Sequence, residues 1–345
     1  MSGLRQRAGR MAAAAMAAAL LAVTGAAAQD PDAGTTAFEL FRINHNARDV
    51  AMAGASIAVP GGLIGVSANP AASGYLQDVE AVVGYRSMVE GIWSGVLGFG
   101  MPLGRTGYWS LNVVNLSLGT IEETLRIDGL PVVTGREWRS DALSASLNWS
   151  RVVWRTLSLG ASLKGIYEYM GTTGEYYSSD GFALDLGAQY RLLAGDRLVL
   201  GAVLRHLGFE RSTYGDEIDR ASLPTTFGIG LSYVPLYVKP LRIALDLEKS
   251  NGGTLDIEPG IEVSILRDLL FLRAGYAFSD REVSYLFDVL GGEQDDDYEK
   301  AQWNSLCLGM GLQVRVRDVL IGADAGLEIH TVGQPSVAVT VMVGF

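Results

Sequence analysis

The chain ends on SVAVTVMVGF, in which Val337, Val339, Val341, Val343 and Phe345 alternate with Ser336, Ala338, Thr340, Met342 and Gly344. A period of two is the strand period, so the valines and the terminal phenylalanine share one face and the small or polar residues share the other. A strand that stays apolar on one face to its last residue is either the edge of a β-sandwich or the closing strand of a sheet whose outer face meets lipid. In the second case Val341, Val343 and Phe345 read as an assembly signal for the barrel assembly machinery, as at the C-termini of bacterial outer-membrane barrels.

The N-terminus favours lipid. Arg5, Arg7 and Arg10 precede an alanine-rich apolar stretch, Met11 to Val23, and then Ala26-Ala27-Ala28. This is the pattern of a cleaved secretory signal peptide over residues 1–28. No cysteine follows the cleavage site, which argues against a lipid anchor. Beyond it no run approaches the roughly 18 apolar residues of a spanning helix. Yet 48% of the chain is hydrophobic and its mean hydropathy is +0.21. An exported, apolar chain without a membrane helix is accounted for by a transmembrane β-barrel, whose apolar content is spread over short alternating segments.

Fourteen such segments are expected within residues 79–345: 79–87, 92–102, 107–117, 139–152, 155–168, 181–192, 197–206, 223–234, 239–248, 254–265, 268–278, 301–315, 318–328 and 335–345. Their connections alternate short and long, with long ones at 118–138, 169–180, 207–222 and 279–300. Short periplasmic turns and long outer loops are the rule for outer-membrane barrels, which would place both termini in the periplasm. The polar face of each strand should point into the lumen, because a charge facing lipid at mid-depth costs a few kcal/mol. That assigns Lys164, Asp185, Arg242, Asp246, Asp324 and Glu328 to the lumen, where charge pairing with a plug or substrate selection are their two uses. Aromatics such as Trp93, Trp138, Trp149 and Trp154 gather near strand ends, as interfacial girdles do.

Residues 36–78 do not alternate and are rich in Ala and Gly, with Pro60 and Pro70 as breakers. A segment of this kind ahead of the first strand is suited to fill the lumen, so residues 29–78 are expected to be a plug entering from the periplasm. Within it, NARDVAMAGASIAV and SANPAASGYL resemble the N-terminal signature of the PorV/PorQ group of FadL-like outer-membrane barrels. The resemblance rests on Ala47, Arg48, Met52, Gly54, Ala55, Asn69, Pro70 and Ala71. It departs at Gly61, Gly62 and Ser67-Ala68, where the family carries acidic residues and a tryptophan. The role expected first is that of PorV-like members, which handle secreted cargo or surface-assembly proteins in type 9 secretion, here through the outer loops 118–138 and 279–300. The alternative is that of FadL-like members, which admit hydrophobic small molecules through the lumen and a side opening. The second role further calls for an apolar pocket between plug and wall and a kink or gap in an early strand.

Other chemistry is sparse. The formal charge of −11 excludes nucleic acid as a natural partner. One cysteine, Cys307, forbids an internal disulfide and a cysteine-based metal cluster, and His45, His206 and His330 are too dispersed for metal-ligand spacing. No cofactor is expected. His206 with Glu210 and His330 with Glu328 lack a recognisable nucleophile, so the chain reads as a non-enzyme. The acidic run Glu293, Asp295, Asp296, Asp297 and Glu299 reads as a solvated outer loop, with a divalent cation or a protein partner as the sharper alternative.

Overall fold

A computed structural model describes residues 36–345 except 128–129, 173, 194–195, 213–221, 239, 252, 254, 280–304 and 331–333. Fourteen antiparallel strands close on themselves: β1 Glu80–Ser87, β2 Trp93–Pro102, β3 Tyr108–Ile127, β4 Leu130–Trp154, β5 Leu157–Thr172, β6 Glu175–Leu193, β7 Leu198–Ser212, β8 Thr226–Tyr233, β9 Leu241–Ser250, β10 Leu255–Ile265, β11 Leu270–Ser279, β12 Ser305–Val316, β13 Val319–His330 and β14 Ser336–Gly344. Each pairs with its sequence neighbours, and β1 pairs with β14 from Glu80↔Gly344 to Ser87↔Val337. Closure removes both sheet edges, which is what a lipid-embedded sheet requires. No helix among the described residues is long and apolar enough to cross a membrane.

The alternation in the sequence becomes the two faces of the wall. Leu97, Leu111, Leu163, Phe182 and Met310 are each more than half exposed on the outer face. Val337, Val339, Val341 and Phe345 continue that apolar belt, while Ser336, Ala338 and Thr340 are buried inside. A contiguous apolar surface of this extent is unsuited to water and suited to lipid.

Two of the expected outer loops are strand instead. Segment 118–138 belongs to a ribbon in which β3 and β4 stay paired out to Ile127↔Leu130. Segment 169–180 is absorbed into β5 and β6, paired out to Thr172↔Glu175. Above the bilayer no lipid enforces an apolar face, so Glu122, Glu123, Arg126 and Arg136 break the alternation while Ile121, Thr124, Ile127, Val132 and Val133 still favour strand. The acidic run, Glu293, Asp295, Asp296, Asp297 and Glu299, lies outside the described residues, as does the signal segment 1–28.

The early wall is sealed, contrary to the expected kink. β1 and β2 pair without interruption from Glu80↔Gly100 to Ser87↔Trp93, and β2 with β3 from Trp93↔Ser117 to Pro102↔Tyr108. Among the described residues the β10–β11 ladder skips Glu258 and Pro259, and a larger interruption falls at β7. There the β6–β7 register shifts between Leu184 and Leu186, and His206 takes a left-handed backbone, φ 60°. The β7–β8 ladder then stops at Arg205↔Thr226, although β7 runs on to Ser212. A bulge of this kind ends pairing and redirects the strand.

Inside the wall lies the plug. Its α1 helix, Ala47–Ala51, starts at Asn46, whose side chain accepts the Asp49 backbone N–H at 2.9 Å. A 3₁₀ turn, Pro70–Ser73, is capped the same way by Asn69, which accepts from Ala71 N at 3.0 Å. The described part begins where Thr36 bridges Ser222 in the long β7–β8 connection, with Ala37 N donating to Ser222 O at 3.0 Å. It ends at Val79, which exchanges two backbone hydrogen bonds of 2.9 Å with Phe345 at the short-turn end. The described plug therefore runs from the long-loop end to the short-turn end, opposite to the order expected of a segment entering from the periplasm. Lumen-facing glycines let it seat: a methyl at Gly160 would overlap the Pro70 and Ala71 backbone, and one at Gly275 the Met52 backbone.

Candidate functional site: the plug and lumen

The plug is held by carboxylates and guanidinium groups that period-two alternation turns inward from the wall. Asp246 on β9 accepts the consecutive backbone N–H groups of Ser56 and Ile57 at 2.6 and 2.7 Å. The Ile57 carbonyl accepts in turn from Asn69 and Gln189, each at 2.9 Å. Two wall residues, Asp246 and Gln189, and one plug asparagine thus fix a bend that has no regular structure of its own.

A second clamp is ionic. Arg48 on α1 forks onto Glu262 of β10 through two hydrogen bonds of 3.1 Å and donates to Pro60 O at 3.0 Å. Glu262 also accepts from Arg273 Nε at 2.7 Å, and Arg273 continues to Asp324 at 2.5 Å. Arg242 completes the group, 3.7 Å from Glu262 and 2.8 Å from Ser232 Oγ. Bidentate geometry and shared partners are what make such buried charges tolerable. A third contact joins Arg86 of β1 to Glu328 of β13 and to the plug carbonyl of Asn44.

All six residues assigned to the lumen by parity occupy the inner wall. Lys164 pairs with Asp185 at 2.6 Å, and Asp185 also accepts His206 N at 2.8 Å. Arg242, Asp246, Asp324 and Glu328 take the places just given. Of the plug residues, Arg48 and Asn69 make polar contacts, and Met52 is buried beside Ala55, Val59 and Ala244. Gly54, at φ +94°, lies flat against the Glu258 carboxyl, and Pro70 opens the 3₁₀ turn. Glu262, Arg273, Arg86, Arg205 and Glu248 were not singled out from sequence. Their signal is parity alone: Arg242, Asp246 and Glu248 on one strand, Glu258 and Glu262 on the next.

Within the plug, Asp49 is buried and accepts from Ser56 Oγ at 2.6 Å and from the Asn46 amide. Burial pushes its carboxyl above the ordinary value, against the downward pull of those hydrogen bonds and of Arg48. The sequence pairing of His206 with Glu210 is absent: His206 contacts the Pro224 carbonyl and stacks on Phe41 at 4.8 Å, while Glu210 accepts from Ser179. The His330 side chain lies outside the described residues. Among the described residues no group of three or more His, Cys, Asp or Glu is arranged to hold a metal.

Between plug and wall lies a cavity of about 180 Å³. Phe41, Leu63, Val82, Val96 and Val114 give it an apolar side. Asn112, Ser144 and Asn148 give it a neutral polar side, and Lys164, Arg205 and Glu248 a charged one. His206 and Thr226, which bound the β7–β8 interruption, also line it.

These features define a closed, plugged, fourteen-stranded barrel of the outer-membrane type, a fold that fits the bacterial outer membrane. The particular architecture is FadL-like. The toluene transporter TodX of Pseudomonas putida superposes with a TM-score of 0.56 over 86% of this chain and 96% of its own, at 14% identity. The monoaromatic hydrocarbon channel CymD gives 0.54 over 87% and 96%, at 12% identity. A Pseudomonas aeruginosa FadL homologue gives 0.53 over 87% and 98%, at 11% identity. At such identities the likeness establishes the fold. It reaches the FadL-like level and does not single out the PorV/PorQ group. No protein-family model matches the sequence, and no curated protein matches it.

Proposed function

We propose that this chain is a non-enzymatic outer-membrane channel that admits small molecules with an apolar body, by way of the plugged lumen. The observation that carries this reading is the cavity between plug and wall, placed beside the one stretch where the β7–β8 ladder stops short of the strand end. A molecule held there has Phe41 and the valines of the early strands on one side and, on another, the place where contacts of His206 with Thr225 and Pro224 replace the β7–β8 ladder. Such a route passes a guest sideways toward lipid without a continuous aqueous pore. The shared architecture with TodX and CymD supports the same reading.

The test is flux of a labelled aromatic into vesicles whose outer leaflet is lipopolysaccharide, a barrier that slows unaided entry. Protein-containing vesicles should load faster than empty ones. Equal rates would overturn the proposal.

A second reading, partner binding in PorV-type secretion or surface assembly, draws support from the β3–β4 ribbon. It projects past β2 and exposes Ile121, Leu125, Ile127, Leu130 and Val133. Trimming residues 119–137 should then abolish capture of a surface protein while the barrel still assembles. Unchanged capture would remove this reading.

A further inference from the structure

We infer that the lumenal cavity recognises a neutral, single-ring-sized molecule bearing a hydroxyl or carbonyl oxygen, a phenol-like compound, in preference to a bare hydrocarbon or a long acyl chain. The inference rests on the transport reading and names the guest of that site. Size sets the first limit. The cavity, about 180 Å³, is close to the roughly 150 Å³ of an apolar protein cavity that holds one benzene. A long acyl chain would extend beyond this volume.

Polarity sets the second limit. Asn112 on β3 stands directly opposite Ser146 on β4, with Ser144 one inward position further along the strand. Ser144 is only 6% exposed, yet among the described residues no hydrogen bond reaches its hydroxyl or the side-chain amide of Asn112. Room for that amide depends on Gly98, where a methyl would collide with Asn112 Oδ1. A hydrocarbon filling the cavity leaves this hydroxyl and the half-buried Asn112 amide without a partner, whereas a guest with its own oxygen supplies one.

Charge sets the third limit. Lys164 is matched by Asp185 at 2.6 Å and Arg205 by Glu248, while Arg42 and Asp256 are likewise engaged. The Glu258 carboxyl is buried against Gly54, and among the described residues its Oε2 has no hydrogen-bond partner. The lysine and arginine charges are thus matched by the protein's own carboxylates. An anionic guest would find no unmatched cation waiting.

Calorimetric titration of the full chain in lipid nanodiscs compares 4-methylphenol with toluene, which share ring and methyl and differ by the hydroxyl. Dodecanoate is the third probe. The methylphenol should bind at least about tenfold tighter than toluene, the factor that one net hydrogen bond supplies. Ser144→Ala and Asn112→Leu, each checked for a heat-stable folded barrel, should narrow that gap. Equal or tighter toluene binding, a gap untouched by both substitutions, or binding of dodecanoate alone would overturn the inference and leave the transport reading standing. Binding of none of the three would overturn both.

Discussion

Replacing Arg48 by methionine keeps an apolar stem of similar length and removes the plug's strongest ionic tie to the wall. The partners are mostly buried, with side chains 16% and 8% exposed for Arg48 and Glu262. Stranding a buried charge outright costs about 3–5 kcal/mol. Here Glu262 is not stranded, because Arg273 stays at 2.7 Å and Arg242 at 3.7 Å. What disappears is one forked pair, and hydrogen bonds to charged groups are worth about 1.5–3 kcal/mol each before water recovers part of them. A net loss of about 2 kcal/mol follows, which raises the population of the released plug about 30-fold. Hydrogen exchange reads this directly: amides of residues 46–59 should exchange about 30-fold faster while those of β9 and β10 hold their rates. Arg242→Met is the control, since Arg242 touches the same carboxylate but donates to the wall residue Ser232 and leaves the fork on Glu262 in place. Plug exchange unchanged in Arg48→Met, or raised equally in Arg242→Met, would refute the assignment of Arg48 as a clamp.

Further outcomes can be checked. Gly160→Val should drive the Pro70–Ser73 turn off the wall, seen as faster exchange at Ala71 and Ala72 with the barrel still folded; unchanged exchange would mean that the close approach is not needed. Docking of the plug should strengthen on acidification. Asp49 has its pKa raised by burial, so its contribution is complete below the ordinary carboxylate value of 3.8 and is lost as pH rises through the raised value. Asp49→Asn should flatten that dependence, measured as plug exchange against pH. Phe345→Asp, altering a residue 57% exposed on the lipid side at the end of the closing strand, should lower the amount of folded protein in the outer membrane. Wild-type levels would show that this residue is not an assembly signal.

The wall was legible because lipid imposes the simplest of codes. Each strand must alternate within the bilayer, so its existence and its inward face are legible from Leu143, Leu147, Asp185 or Val341, while the outer ends of β3, β4, β6 and β7 run six to ten residues further than the alternation indicates. The code lapses where lipid ends, and there the β3–β4 ribbon reads as a loop. It also says which residues face inward without saying which of them meet. Arg48 and Asn69 stood out through the family-like motif, and Asp246 through parity, but the contact of Asp246 with Ser56 and Ile57 bridges 190 positions of chain. The β7 interruption had no signal of its own, since a histidine in a left-handed backbone looks like any other histidine in a strand.

The direction of the plug has a consequence for how the molecule is built. Residues 36–78 are made before any strand, yet they end up enclosed by a wall whose seam is sealed by the last strand to be made. That last strand is in contact with them: Thr340 Oγ1 accepts the Ala47 backbone N–H at 2.9 Å, and Ala338 is packed with Ala47 and Val50. The final pairing step is therefore also an inspection. A chain whose first segment is missing or misplaced reaches β14 with an unfilled inner surface and a poorer seam against β1. Completeness of the interior is checked at the moment the container shuts.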